Sequence, residues 1–279
     1  MMNGVHTFST KPFFVRNHGK KFSMSRIDLL VLKLSALFWK KYNGNVFLYT
    51  DKKGFEFFEK NKMIYLWDKI NINILENMPS FLDHKTFWAA SKIFAIANQN
   101  TPFVSVDTDL FVRRNLGNYI NGDLSVLHLE KLNPRTYPNP KVFGYKKPDF
   151  KLNLLPANAA LTYFGNSDFK KEYTNQALKF INYQSQNRTK IINNELVKMV
   201  FAEQSLLSQA ALQTNTKYKL LIKDIFTGEK WDTNKKGESN IAEVSKYLWH
   251  TWGEKTILRT NPQRERQVYK YLTKILNKI

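Results

Sequence analysis

An α/β fold, with a mostly parallel central sheet flanked by helices, is what this sequence predicts, and three observations carry the prediction. Runs of β-favouring residues alternate with helix-period segments, the pattern of a sheet covered by crossover helices. The segment Arg26 to Tyr42 is apolar around most of a helical wheel, as a helix buried against a sheet must be. The stretch Pro102 to Val112 delivers two carboxylates, Asp107 and Asp109, at the end of an apolar β run, the edge at which open α/β sheets bind ligands. At 279 residues, 43% of them hydrophobic, the chain suffices for one domain spanning 1–279.

Each element follows from local pattern. Val5 to Ser9 predicts a first strand. The helix from Arg26 to Tyr42 closes on Lys40-Lys41, cations that suit a helix C-terminus, and stops at Asn43-Gly44. Asn45 to Asp51 predicts a second strand, followed by a Lys52-Lys53-Gly54 turn and a helix from about Phe55 to Lys62. Met63 to Trp67 reads as a third strand. Phe87 to Asn98 reads as an amphipathic helix with Trp88, Lys92 and Ile96 four residues apart, and it feeds the strand that ends in Asp107-Thr108-Asp109. Such a βαβ order gives a right-handed crossover. Residues 133–156, with prolines at 134, 138, 140, 148 and 156, form an irregular excursion, either a substrate lid or surface padding. Ala157 to Gly165 resumes a strand, and helices cover Asp168 to Tyr183 and Asn194 to Gln213.

Composition narrows the function. The chain has no cysteine, so any metal must rest on oxygen and nitrogen ligands. Lys and Arg number 43 against 23 Asp and Glu, a net charge of +20, and a surface so charged attracts anions: nucleic acid, acidic lipid or nucleotide phosphates. The lysines are scattered in pairs (Lys20-Lys21, Lys40-Lys41, Lys52-Lys53, Lys146-Lys147, Lys170-Lys171, Lys235-Lys236) and form no dense arm. With no helix-turn-helix, zinc-finger or RNA-recognition signature, a nucleic-acid role rests on charge alone. Genome composition explains such lysine content equally well, and loose contact with an anionic leaflet is a third reading. The longest mostly apolar run, Ile27 to Trp39, contains Asp28 and Lys33 and is too short to span a bilayer. No signal-peptide order is present, so a cytoplasmic protein, peripheral at most to the inner membrane face, is the expectation.

An Asp-x-Asp alone is common on surface turns. Here the flanking strand pattern and a histidine-bearing segment near the C-terminus set it apart, and oxygen ligands on a tight turn suit Mg²⁺ or Mn²⁺. His6, His18, His84 and His128 lack any such partner pattern.

The ordered series Tyr49-Thr50-Asp51, Phe87 to Lys92, Pro102 to Phe111, Asn158-Ala159-Ala160, Glu203-Gln204 and Trp249 to Lys255 resembles the GT-A class of nucleotide-sugar glycosyltransferases across nearly the whole chain. It is most similar in style to bacterial surface-polysaccharide enzymes and to the glycogenin and lipopolysaccharide galactosyltransferase-like groups. In these an Asp-x-Asp and a late His-x-x-Gly-x-Lys hold metal and diphosphate. His250-Thr251-Trp252-Gly253-Glu254-Lys255 has that spacing, although the family's proline and tryptophan after the lysine are absent.

The resemblance implies a GT-A, Rossmann-like sheet and a metal-dependent transfer of a hexose from a UDP-sugar to a glycan or lipid-linked acceptor, with Mn²⁺ or Mg²⁺. Asp109 would ligate the metal directly, His250 through a ring nitrogen, and Asp107 would reach the metal or the ribose. Lys255 would meet the diphosphate, and Gly253 would let backbone approach it closely. Thr7 and Ser9 would face uracil or ribose, Asp51 the base, Lys92 the donor, and Asn158 the donor sugar. Glu203 and Gln204 would lie near the reacting sugar. There Glu203 serves as general base if the reaction inverts, or stabilises an oxocarbenium-like transition state if it retains. An exposed polar pair at a helix start is the plainer reading of Glu203-Gln204. Trp88, Trp231, Trp249 and Trp252 fall near these segments, as core or as sugar-stacking surfaces. A catalytically lapsed nucleotide- or polysaccharide-binding relative and a basic nucleic-acid-binding protein are the alternatives.

Overall fold

The computed structural model describes residues 1–145, 149–187, 196–233 and 238–279, with Thr256 described by its backbone alone. The basic pairs Lys146-Lys147 and Lys235-Lys236, Pro148 and the expected helix start at Asn194 lie outside the described residues.

Strand β1 (Gly4–Phe8) leads through a short helix α1 (Lys11–Arg16) to α2 (Arg26–Tyr42) and β2 (Val46–Thr50). Helix α3 (Lys52–Lys60), strand β3 (Lys69–Asn71), α4 (Asn73–Glu76) and α5 (Ala90–Asn98) follow, and α5 feeds β4 (Phe103–Val106). Beyond the Asp107–Asp109 turn come β5 (Leu110–Val112), β6 (Leu124–Val126), β7 (Leu129–Glu130), β8 (Leu161–Phe164) and α6 (Ser167–Gln186). Helices α7 (Leu196–Val200) and α8 (Leu206–Gln213) are joined by a π-helical turn, Phe201–Ser205. The tail contributes β9 (Tyr218–Leu220), β10 (Ile225–Phe226), β11 (Trp231–Asp232), α9 (Ile241–Val244), β12 (Leu248–His250), α10 (Lys255–Thr260) and α11 (Pro262–Leu276).

Among the described residues the central sheet has seven strands in the order β3-β2-β1-β4-β8-β6-β9. Pairs β3/β2, β2/β1, β1/β4 and β6/β9 are parallel, while β8 runs antiparallel to both neighbours. The mostly parallel, helix-flanked α/β sheet expected from the sequence is therefore present. Side chains alternate across it with the two-residue period of a strand. Val5, Tyr49 and Phe103 pack on one face with Ile93 of α5 and Phe169 and Phe180 of α6. Val46, Leu48, Val104 and Val106 pack on the other with Leu32, Ala36 and Trp39 of α2 and Phe58 of α3. Gly4 is required by that packing: a Cβ there would stand 2.5 Å from the Trp39 ring nitrogen.

Helix α2 has the limits read from sequence because both ends are signalled. Ser25 accepts from the Asp28 N–H at its start, and Asn43 and Gly44 both donate to the Trp39 carbonyl at its end. The third strand is a correction. Ile64–Leu66 forms a 3₁₀ turn, and the strand is Lys69–Asn71 instead. Met63, Leu66 and Trp67 are the buried residues of that run, a helical i, i+3, i+4 spacing that a five-residue apolar run conceals. Two other elements are shorter than expected. Phe87, Trp88 and Ala89 precede α5 without joining it, which leaves Trp88 exposed while Lys92 and Ile96 are buried. Asn158, Ala159 and Ala160 precede β8 outside its ladder, with Ala157 bridged to Leu129.

The tail is brought to mid-chain by packing on α2. Val268 and Leu272 of α11 bury against Ile27, Leu30, Val31 and Leu34, and Arg26 holds Glu265 through two hydrogen bonds of 2.8 and 2.6 Å. No helix among the described residues is long and apolar enough to cross a membrane.

Candidate active site

The site is assembled at the carboxyl end of β4. The Leu110 N–H donates to the Asp107 carbonyl at 3.1 Å, closing a tight turn that carries both carboxylates, and the Asp107 N–H donates to the Ala160 carbonyl at 2.8 Å. Strand β5, directly after the turn, pairs antiparallel with β12, placing His250 opposite Leu110. The Thr251 N–H and hydroxyl both donate to the Asp109 carbonyl, at 3.0 and 3.2 Å, and lock the tail segment to the turn. As a result Asp107, Asp109 and His250 each offer one ligand atom, and these atoms lie within 4.8 Å of one another.

The donor set fits a divalent cation. Two carboxylates suit Mn²⁺ or Mg²⁺, and the imidazole favours the softer Mn²⁺ of the two. His250 Nε2 is buried with no hydrogen-bond partner, and buried Asp109 Oδ2 has none beyond its ion pair with Lys255. His250 Nε2 lies 3.5 Å from Asp109 Oδ1 and 4.0 Å from Asp107 Oδ2. Lys255 Nζ forms an ion pair with Asp109 Oδ2 at 2.7 Å.

On the far side of the turn stands Lys92, whose side chain is 10% exposed. Its ammonium lies 2.5 Å from Asp107 Oδ1, 2.6 Å from Glu203 Oε1 and 3.0 Å from the Ala159 carbonyl. Two of its donors go to Glu203 and the Ala159 carbonyl, and it forms an ion pair with Asp107. Burial acts to lower the Lys92 pKa, but Asp107 and Glu203 outweigh it and raise it above the usual lysine range.

The two acids of the turn shift in opposite directions. Burial, with the charges of Asp109 and Glu203 added, raises Asp107 above the ordinary carboxylate value against the pull of Lys92 and His250. Burial also acts upward on Asp109, but the neighbouring His250 ring and the Lys255 ammonium overcome it and hold that carboxyl below the usual range.

Glu203 and Gln204 sit on the π-helical turn and not at a helix start. π-helical turns are frequent at functional sites. Here the turn lets consecutive residues reach different partners. Glu203 is buried and meets Lys92, its carbonyl accepting from the Tyr173 hydroxyl at 3.0 Å. Gln204 Oε1 pairs with the Tyr137 hydroxyl at 2.5 Å. Tyr137 in turn meets the Glu130 carboxyl, which accepts from Asn158 Nδ2 at 2.8 Å. Asn158, Glu130, Tyr137 and Gln204 are thus one network, and burial raises the pKa of both Glu130 and Tyr137. Tyr173, Tyr137 and Glu130 carry no sequence signal beyond the position of Tyr137 in the proline-rich excursion.

Other expected residues are placed as follows. Asp51 is buried at the N-cap of α3, where its two oxygens accept from Ser9 Oγ, Thr10 N, Thr10 Oγ1 and Gly54 N at 2.6 to 2.8 Å. Thr7 on β1 has a buried hydroxyl without a partner. A Cβ at Gly253 would meet nothing within 4 Å, so packing within the chain does not demand glycine there. Trp249 packs edge-on to Phe111 and Trp231 edge-on to His128, whereas Trp88 and Trp252 are exposed.

A family model matches residues 2–279. The chain belongs to DUF6734, a family of unknown function. No curated protein matches the sequence. Among solved structures the chain is similar to the PaToxG glycosyltransferase, at 14% identity and a TM-score of 0.45, over 76% of this chain and 69% of that one. It is also similar to the glycosyltransferase GlyE of Streptococcus pneumoniae TIGR4, at 14% identity and a TM-score of 0.40, over 79% of this chain and 46% of that one. The apo-form of GlyE gives a TM-score of 0.37 at 14% identity, over 79% and 44%. The chain spans less than half the length of either GlyE chain.

Proposed function

We propose that this protein is a metal-dependent glycosyltransferase of GT-A type, transferring a hexose from a nucleotide sugar, most simply a UDP-sugar, to a glycan or lipid-linked acceptor. The observation that carries the reading is the convergence of Asp107, Asp109 and His250 at the carboxyl end of a central parallel strand, with ligand atoms within 4.8 Å of one another. Mn²⁺ or Mg²⁺ held by these three residues would supply neutralisation of the charge that develops on the leaving diphosphate.

The chain's own residues account for the rest. Lys92 fixes Asp107 and Glu203 in one geometry and so presents both carboxylates to one space. Lys255 sets a cation beside Asp109, where it would meet the diphosphate, and Gly253 would let backbone approach it closely. Asn158 and Gln204, tied through Glu130 and Tyr137, hold their amides in place for a sugar's hydroxyls. Thr7, with its unpartnered hydroxyl, is the β1 group able to meet a nucleoside; Asp51 would do so only by exchanging one of its hydrogen bonds. Glu203 acts on the reacting sugar or acceptor, as base or as charge stabiliser. A cytoplasmic location with peripheral contact to an anionic membrane suits the net charge of +20 and a lipid-linked acceptor.

Calorimetry with UDP and Mn²⁺ tests the proposal. The expected result is UDP binding that requires the metal and is lost in Asp109→Ala, with hydrolysis or transfer of a UDP-sugar by the wild-type chain. Metal-dependent UDP binding without turnover would reduce the protein to a binding module. Salt-steep RNA binding with indifference to UDP would overturn the reading.

A further inference from the structure

His6 lies at the centre of β1, fully buried, with both ring nitrogens facing polar groups. Its Nδ1 is 3.4 Å from Trp67 Nε1 and its Nε2 is 3.3 Å from Ser35 Oγ. The indole N–H can only donate, so Nδ1 must accept, and the proton of the neutral imidazole rests on Nε2. That N–H therefore donates to Ser35 Oγ, which leaves the serine's own hydrogen to be donated onward. It reaches the Leu110 carbonyl at 2.8 Å, with the Asp107 carbonyl at 3.4 Å. The direction of the whole chain, Trp67 to His6 to Ser35 to the turn, is set by its first donor.

The end point of this relay gives it meaning. Asp107 and Leu110 are the two residues that close the carboxylate-bearing turn, and Leu110 is also the residue paired with His250 across β5 and β12. A single hydroxyl thus stands over both ends of the turn that presents Asp107 and Asp109, on the same strand residue that registers His250. Burial lowers the His6 pKa to about 4 against the opposing charge of Asp109, so the ring stays neutral and the relay keeps its direction at neutral pH.

We infer that His6 and Ser35 are positioning residues for the Asp107–Asp109–His250 centre, a hydrogen-bonded strut beneath the sheet edge that sets the distance between the two carboxylates and the imidazole. The inference rests on the reading of that centre as a cation site. Groups that orient ligands from behind are worth about 10- to 100-fold in metal affinity.

The test is Mn²⁺ affinity of the full chain in the presence of UDP, by calorimetry, with melting temperature measured in parallel. Ser35→Ala and His6→Phe are each expected to weaken Mn²⁺ binding about tenfold or more. His6→Gln, which keeps an N–H donor toward Ser35, is expected to bind Mn²⁺ more tightly than His6→Phe. Ile181→Ala, at a fully buried site of α6 on the opposite face of the sheet, lowers the melting temperature and is expected to leave Mn²⁺ affinity within about twofold of wild type. Wild-type affinity in Ser35→Ala, or an equal loss in Ile181→Ala, overturns the strut while leaving the cation site standing. A wild-type chain that binds no Mn²⁺ overturns both.

Discussion

The turn after β4 separates two halves of one site that are built differently. On the Asp107 side the strong groups are already answered: Lys92 donates to Glu203 and the Ala159 carbonyl and forms an ion pair with Asp107. On the Asp109 side, Asp109 Oδ2 and His250 Nε2 are buried without a hydrogen-bond partner. Only Thr108 lies between the two acids, so the contrast comes from what the fold brings to each. A helix before the strand supplies the closed half, and the tail supplies the open half. The closed half fixes geometry, and the open half leaves His250 Nε2 without a hydrogen bond and Asp109 Oδ2 facing only the Lys255 ammonium.

The largest effect is expected from removing the strut of the closed half. Lys92→Met leaves Asp107 and Glu203 beside one another with no cation between them, and loss of one partner from a buried ion pair costs about 3–5 kcal/mol. Urea unfolding should show that loss, and the double variant Lys92→Met/Glu203→Gln should recover part of it. If Lys92→Met were as stable as wild type, the closed half would be no strut. Next in size, Asp109→Ala should weaken metal-assisted UDP binding by more than the roughly 10- to 100-fold that an orienting group is worth, because a ligand atom itself is lost. Its unfolding midpoint without metal should move far less than that of Lys92→Met. Smaller again, Tyr137→Phe removes one hydroxyl from the Asn158–Glu130–Tyr137–Gln204 network and should cost about 1 kcal/mol of stability. A fall in turnover with little change in Mn²⁺ affinity would place that network on the sugar and not on the metal.

How far the sequence reveals this arrangement depends on whether each signal is local. The α2 limits are readable because Ser25 and Asn43-Gly44 are capping residues beside the helix they end. Asp107 and Asp109 are readable as a carboxylate pair at a strand end because an apolar strand leads into them, and His250 stands out because its spacing to Gly253 and Lys255 is a local motif. The short run Met63 to Trp67 is not, since five residues fit a strand or a helical turn equally and only packing against Phe58 decides. Lys92 reads as a solvent-facing or donor-facing cation until two carboxylates from distant segments close on it. His6 reads as an isolated histidine because its partners, Ser35 and Trp67, come from α2 and from the segment before β3. The π turn at Glu203 has no composition of its own; helical propensity continues through it, and tertiary contacts with Lys92 and Tyr173 accompany the extra residue.

The finest test of the two halves is their response to acid in metal-stripped protein. Asp109 has a folded pKa below the ordinary value, so the stability it contributes is present above about pH 4 and is lost as pH falls through its folded value. Asp107 has a folded pKa above the ordinary value, so the folded state takes up its proton before the unfolded state does. Its ionised form therefore costs stability at neutral pH, and that cost is relieved as pH falls through its folded value toward about 4. The neutral isosteres should thus act with opposite sign near pH 7. Asp107→Asn should raise the melting temperature slightly in the absence of metal, and Asp109→Asn should lower it. With Mn²⁺ and UDP present both variants should fall below wild type, because the cation then draws on both carboxylates. Equal shifts of the same sign in metal-stripped protein would show that the two acids share one environment, and the division of the site into a closed and an open half would fail.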